Sequence, residues 1–477
     1  MKNVNQNKIR LQALDALRGL AILMMVLSAN IPYEGALPGW MYHAQLPPPG
    51  HYFQGDIPGI TWVDLVFPFF LFAMGAAIPF SLGSKMDKGV TNIAAGKSLL
   101  IRFGGLALFA IVSQHSRPWM LGVEGVEQWF LSLLAMVGML MIFAAPVGGM
   151  WSRYRRYVVM GGFLLLAILF GVLHNLEHIQ FSHTTFDIII MVLANTALGG
   201  GLIYFAWRYY RYALWIGFAL FVAFFLSGRD GDNWVATIYN YSPVSWLLSW
   251  NYLKYMIIII PGVYTGSVIR AFMLKMKEQG RDVKEVSIFS YKEWLLFLLS
   301  VAIIMTSVIG LYIREMEWAF GFTLLIALLF TLLLKGWDHP WKDVFNRLLP
   351  FAVVLVISGY LTEPLHGGIK KDSATLSYML LTSGLAIFCL FAFTILLDVF
   401  KVKRGVFLAT GAGKNAMMAY IAGSNLVMPI FAITGLTQLF KFESYFVTLQ
   451  TVEAVIITLL VAWVSGFAAR TGLFMKV

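Results

Sequence analysis

Two histidines, His43 and His51, sit in an uncharged, proline-rich stretch, "MYHAQLPPPGH" (41–51), between two long apolar runs. The first run ends at Asn30, and Asp64 lies near the start of the second. If the chain leaves a membrane and re-enters it between them, an amide, a carboxylate and an imidazole meet at one surface. An imidazole titrates near neutrality, and a carboxylate beside it orients the ring and raises its basicity. That combination suits taking a proton from a nucleophile. Residue types alone leave a second account open, in which Asp64 caps a helix and the histidines face water. They also leave open which histidine is the base, because His51 is nearer Asp64 in sequence. Asp15 and Arg18, three residues apart, fall on one helical face where they can pair, and charges inside a span are costly unless partnered.

The elements that must position these groups follow from hydropathy. The chain has 477 residues, 59% hydrophobic and only 12% charged, about half the charge of an average soluble domain at about 25%. Runs long enough to cross a bilayer fall at 13–31, 61–83, 99–115, 128–148, 157–174, 187–207, 212–228, 253–273, 293–313, 318–334, 348–362, 375–399, 414–433 and 447–468. The class is an all-α, polytopic helical membrane protein with 12 to 14 transmembrane helices. The runs 348–362 and 414–433 are the short or glycine-interrupted ones. With the N-terminus cytoplasmic, the inner segments hold 26 Lys and Arg and the outer ones seven. This positive-inside bias puts both termini in the cytoplasm and accounts for the net charge of +11 without a nucleic-acid partner. Seven of the eight histidines fall on the outer side; only His339 is inner. The polar start "MKNVNQNKIRLQ" lacks a signal-peptide pattern, and the lone Cys389 permits no intrachain disulfide. The longest loops are 32–60 and 229–252 outside and 274–292 inside. One domain spans 1–477, and its partner is the lipid bilayer; a homo-oligomer is left open.

A resemblance sharpens this reading. "LDALRGLAILMMVLSAN" (14–30), then "HA", then "GITWVDLVFPFFLFAMG" (59–75) are similar to the heparan-α-glucosaminide N-acetyltransferase family and its bacterial relatives. "IKKDSATLSYMLLTSGLA" (369–386) and "GKNAMMAYIAG" (413–423) resemble that family's later motifs, in the same order. The motif-bearing N-terminal part is 10–83, and helix pairs near 187–228 and 293–334 are additions to the shared core. The resemblance implies an inner-membrane acyltransferase that moves an acetyl group from cytosolic acetyl-CoA to an amino sugar or glycan on the periplasmic side. It implies His43 as the catalytic base, with Asn30 and Asp64 beside it, and Asp15, Arg18, Lys371 and Asn415 as acetyl-CoA contacts. The sequence departs from the family in the lengthened "QLPPPGHYFQGDIP", in Lys370 and in Ala374, which bears on the acceptor more than the donor.

A thioester is already activated, so acyl transfer to an amine needs a base and an oxyanion stabiliser and no phosphate-binding loop. "HNLEH" (174–178) has zinc-like spacing but no third ligand, and "GRDGDN" lacks the later glutamate of a calcium loop; no metal is expected. The competing class is a transporter or flippase for sugars or glycan fragments. Such a protein would show paired internal repeats, and none is visible.

Overall fold

The computed structural model describes residues 10–33, 37–146, 150–229, 231–280, 290–402, 405–440 and 446–476. Thirteen of its helices are long and apolar enough to cross a membrane. In chain order the helices of eight residues or more are α1 Gln12–Asn30, α2 Trp62–Met86, α3 Asn92–His115, α4 Val126–Phe143, α5 Arg153–Asn175, α6 Ile188–Tyr209 and α7 Ala213–Gly228. There follow α8 Met256–Glu278, α9 Tyr291–Ile313, α10 Met316–Lys335, α11 Lys342–Leu361 and α12 Leu376–Val399. The last are α13 Phe407–Lys414, α14 Ala416–Ile433 and α15 Val447–Arg470. The all-α polytopic class read from hydropathy is the class observed.

Helix α7 has 16 residues, about 24 Å at 1.5 Å each, and it still runs from one end of the molecule to the other. Arg208, just before it, pairs with Asp87 at one end, and Arg229, just after it, holds Ser373 at the other. All fourteen apolar runs therefore correspond to helices. The run 348–362 belongs to a full 20-residue helix beginning at Lys342. The run 414–433 starts at a break: Asn415 leaves helical geometry, with φ −128° and ψ 54°, between α13 and α14. The only strands among the described residues are Ala144–Pro146 and Leu473–Met475, paired antiparallel. Residues 281–289 of the inner loop 274–292 lie outside the described residues, as does Asp230 of the calcium-like turn.

Two helices form the centre. Buried residues make up 83% of the span of α2 and 89% of that of α12, against 28% for α5 and α10 at the lipid-facing periphery. In a bilayer, helix association depends on close packing, so small residues mark the tightest crossings. The α1–α13 crossing is one such place. A Cβ on Gly19 would fall 1.8 Å from Ala409 O, and one on Gly413 1.7 Å from Asp15 O. A side chain at either position would force the two helices apart.

Loops on alternate sides of the hydropathy map meet their own kind. At one end the 38–61 loop touches 362–375, through Gly59 N–H to Ile369 O at 2.9 Å, and 229–255 reaches the same segment. At the opposite end Asp87 pairs with Arg208 and Arg270, and Leu473–Met475 pairs with Ala144–Pro146. We refer to these as the histidine end and the termini end.

Candidate functional site

The start of α2 is built on a capping box. Thr61 precedes the helix and its Oγ1 accepts from Val63 N–H, while Asp64 accepts from the Thr61 backbone. Such a box satisfies amide donors that a helix start leaves open. Here the carboxylate is divided between two tasks. Asp64 Oδ2 accepts from Thr61 N–H at 2.8 Å and Ala44 N–H at 3.2 Å, and Oδ1 is 2.9 Å from His43 Nδ1. The cap and the histidine partner, alternatives in sequence, are one residue. Tyr378 of α12 donates to the Asp64 carbonyl at 2.6 Å, which ties the two central helices together at this level.

The loop carrying His43 is fixed by its neighbours. Thr61 Oγ1 donates to Tyr42 O at 2.7 Å, the Tyr42 hydroxyl donates to Pro32 O at 2.6 Å, and Gln45 Nε2 donates to Ile57 O at 3.1 Å. Tyr42 is fully buried. The Asp64 carboxylate sits against His43 Nδ1 as a close ionic contact without the alignment of a full hydrogen bond, and it orients the ring with Nε2 on the other side. Gln45 N–H donates to the same Nδ1 at 3.3 Å.

Nε2 meets a second carboxylate, Asp372 Oδ2, at 2.9 Å. This is a close ionic contact without the alignment of a full hydrogen bond, and the Asp372 side chain is 44% exposed while that of Asp64 is wholly buried. Burial by itself pulls the His43 pKa down, but the contacts with Asp372 and Asp64 outweigh it and hold the ring above its ordinary value, with Lys371 opposing. For Asp372, burial pushes upward, and His43, Lys371 and Lys254 together take it below the usual carboxylate range. The site is an imidazole between two carboxylates, one sealed and one open to solvent.

The residues that follow Asp372 are held by cations from the 229–255 segment. Arg229 donates to Ser373 Oγ and to Ala374 O, and Lys254 Nζ donates to Ser373 O at 3.3 Å. Burial, then the charge of Arg229, lowers Lys254 to about 8, with Asp372 opposing. The sequence reading missed Asp372, Arg229 and Lys254. The signal for Asp372 was its place beside Lys371; Arg229 and Lys254 were two of only seven outer cations.

The other candidates lie as follows. His51 points away from Asp64: Nδ1 is 3.2 Å from Leu46 O, and its ring packs on Tyr42 at 4.2 Å and Tyr33 at 5.3 Å. Asn30 donates to Val26 O of its own helix at 2.7 Å and is not drawn to His43. Lys371 is at the histidine end. Asp15, Arg18 and Asn415 are at the termini end, so the set named as acetyl-CoA contacts is split between the two. Asp15 is 2.5 Å from Arg10 and 3.9 Å from Arg18, whose guanidinium also donates to Gly413 O at 3.3 Å. Arg102 lies within reach of the Arg18 charge, and its Nε has no hydrogen-bond partner among the described residues. Both ends of the Asn415 amide are taken by the C-terminal strand: Nδ2 donates to Leu473 O at 2.9 Å, and Oδ1 accepts from Met475 N–H at 3.0 Å.

Among the described residues no group of His, Cys, Asp and Glu is placed to hold a metal. No curated protein matches the chain. A profile described as "Domain of unknown function (DUF5009)" matches residues 10–269. The matched range takes in the His43 loop, the Asp64 cap and the 187–228 helix pair, and stops short of Asp372. Since that range covers more than half of the 477 residues, the chain belongs to the DUF5009 family.

Proposed function

We propose that the protein is a membrane-embedded acyltransferase that uses acetyl-CoA from the termini end to acetylate an amino sugar or glycan at the histidine end. The observation that carries this reading is the Asp64–His43–Asp372 line, with its sealed inner carboxylate and open outer one. An incoming ammonium is attracted by Asp372 and displaces the loosely aligned contact to Nε2. Once the ring is neutral, Nε2 takes a proton from the ammonium. The free amine attacks the thioester carbonyl, the C–N bond forms as the C–S bond breaks, the new amide nitrogen gives its second proton to solvent, and the thiolate leaves with the proton the histidine returns. A base of this kind contributes about 100- to 10,000-fold.

The donor's phosphates fit the termini end. Arg18 and Arg102 are neighbouring cations in a largely buried setting, only Arg18 has a carboxylate within 4 Å, and an unsatisfied guanidinium is a ready anion contact. The twelve residues from Arg18 to Asn30 span about 18 Å of helix, less than the ~30 Å hydrocarbon core, so a phosphopantetheine arm passing between helices bridges the two ends. We place the termini end in the cytosol of a bacterium, in its inner membrane, from the excess of Lys and Arg there. A transporter would use the helix break at Asn415; that amide is closed on the C-terminal strand, which favours the enzyme.

The test is incubation of purified protein with labelled acetyl-CoA and a panel of amino sugars. Label transferred by the wild type and lost in His43→Ala supports the proposal; uptake of unmodified sugar into proteoliposomes without acetylation overturns it.

A further inference from the structure

Away from both clusters, α13 and α15 form a cleft of about 250 Å³ at the termini end, lined by Phe407, Thr410, Lys414, Trp463, Phe467 and Arg470, among others. Its floor is a backbone contact, since a Cβ on Gly411 would fall 2.9 Å from Gly466 Cα. Trp463 and Phe467 stack at 5.6 Å and are 58% and 55% exposed, so one wall is an apolar surface turned out of the protein. Two cations complete the lining. The Arg470 guanidinium lies 5.6 Å over the Phe407 ring, and Lys414 is exposed at the end of α13. No acidic residue lines the cleft, and neither cation has a carboxylate partner among the described residues.

We infer that this cleft binds an anionic phospholipid, its phosphate between Lys414 and Arg470 and its acyl chain along Trp463 and Phe467. Basic pockets between transmembrane helices select anionic headgroups by this combination. The shared chemistry is a phosphate, and the apolar outward wall assigns it to a lipid, because a soluble phosphate would leave that wall unused. The occupant has a structural reach. Helix α13 meets α1 at Gly413 and Asp15, one turn from Arg18, so a lipid seated here braces the short helix that faces Arg18. The inference stands whether or not the protein transfers acyl groups.

Native mass spectrometry of detergent-purified protein tests it, with dioleoylphosphatidylglycerol, dioleoylphosphatidylcholine and CoA as separate probes. The expected result is a preference of about tenfold or more for phosphatidylglycerol, lost in Lys414→Gln/Arg470→Gln and kept in Lys85→Gln/Lys88→Gln, which removes equal charge at the same end. All four side chains are exposed, and elution volume confirms that each variant is folded. Equal binding of the two lipids, or an unchanged preference in the Lys414/Arg470 variant, overturns the assignment. Displacement of the lipid one for one by CoA also overturns it and gives the phosphate position to a soluble ligand.

Discussion

The two ends of the molecule have opposite charge arithmetic. At the histidine end two carboxylates, Asp64 and Asp372, close on one imidazole. At the termini end Arg10 and Arg18 flank Asp15, Arg102 lies within reach of Arg18, and Asp398 stands at the Ala13 backbone. The first end fits an approaching cation and the second an approaching anion. Both clusters hang on α1, the first through its exit loop and the second through its opening turns. The contrast teaches that a single helix can set two ligand chemistries, provided that each is finished by a partner distant in sequence: Asp372 at one end, Arg102 and Gly413 at the other.

The largest expected effect comes from removing the group unique to one end. His43→Ala should lower acetyl transfer by about 100-fold or more and leave CoA binding, read by calorimetry, within twofold of about unity. Loss of CoA binding in that variant would mean the two ends are not separable. Arg18→Ala and Arg102→Ala should each weaken CoA binding by about tenfold, the scale of one charge-assisted contact, with the acceptor KM unchanged. An effect on the acceptor alone would break the comparison.

Asp372→Asn should act on the pH profile. Asp372 helps hold the His43 pKa above its ordinary value, so the ring is protonated until pH rises past that raised value, and activity appears as the proton leaves. Removing the open carboxylate lowers the pKa, so the rising limb of kcat/KM should move to lower pH while KM for a cationic amine rises. A limb that stays in place would reduce Asp372 to a surface residue. The smallest effect belongs to the clasp on its loop. Lys254, lowered to about 8, loses its charge as pH rises through that value and weakens its hold on Ser373 O. Activity should decline modestly on that side, and Lys254→Met should remove the decline. His51→Ala should change little at any pH, because its ring meets tyrosines and not Asp64.

Much of the frame was legible because a bilayer demands long apolar runs, and each of the fourteen became a helix. The break at Asn415 was not legible: hydropathy records apolarity, not continuity, and Asn415 is turned out of the helix by a strand some 60 residues later. His43 and Asp64 could be grouped because only 21 residues separate them. Asp372 could not, since nothing in a polar loop marks which distant imidazole it will face. Arg102 was within reach. It sits three residues into the run 99–115, and an arginine inside a span asks for a partner.

The clamp of Asn415 on Leu473–Met475 bears on how the protein is made. A chain emerging from the ribosome inserts α13 and α14 before its last strand exists, and until residue 475 is out the amide and the neighbouring broken backbone have no partner. Asn415 is buried, and an unsatisfied buried polar group is costly, so the nascent protein carries a defect that synthesis of residues 473–475 repairs. A chain cut after Gly472 should therefore be cleared by membrane proteases faster than the full one in a pulse-chase experiment. Equal lifetimes would show that the strand plays no part in maturation.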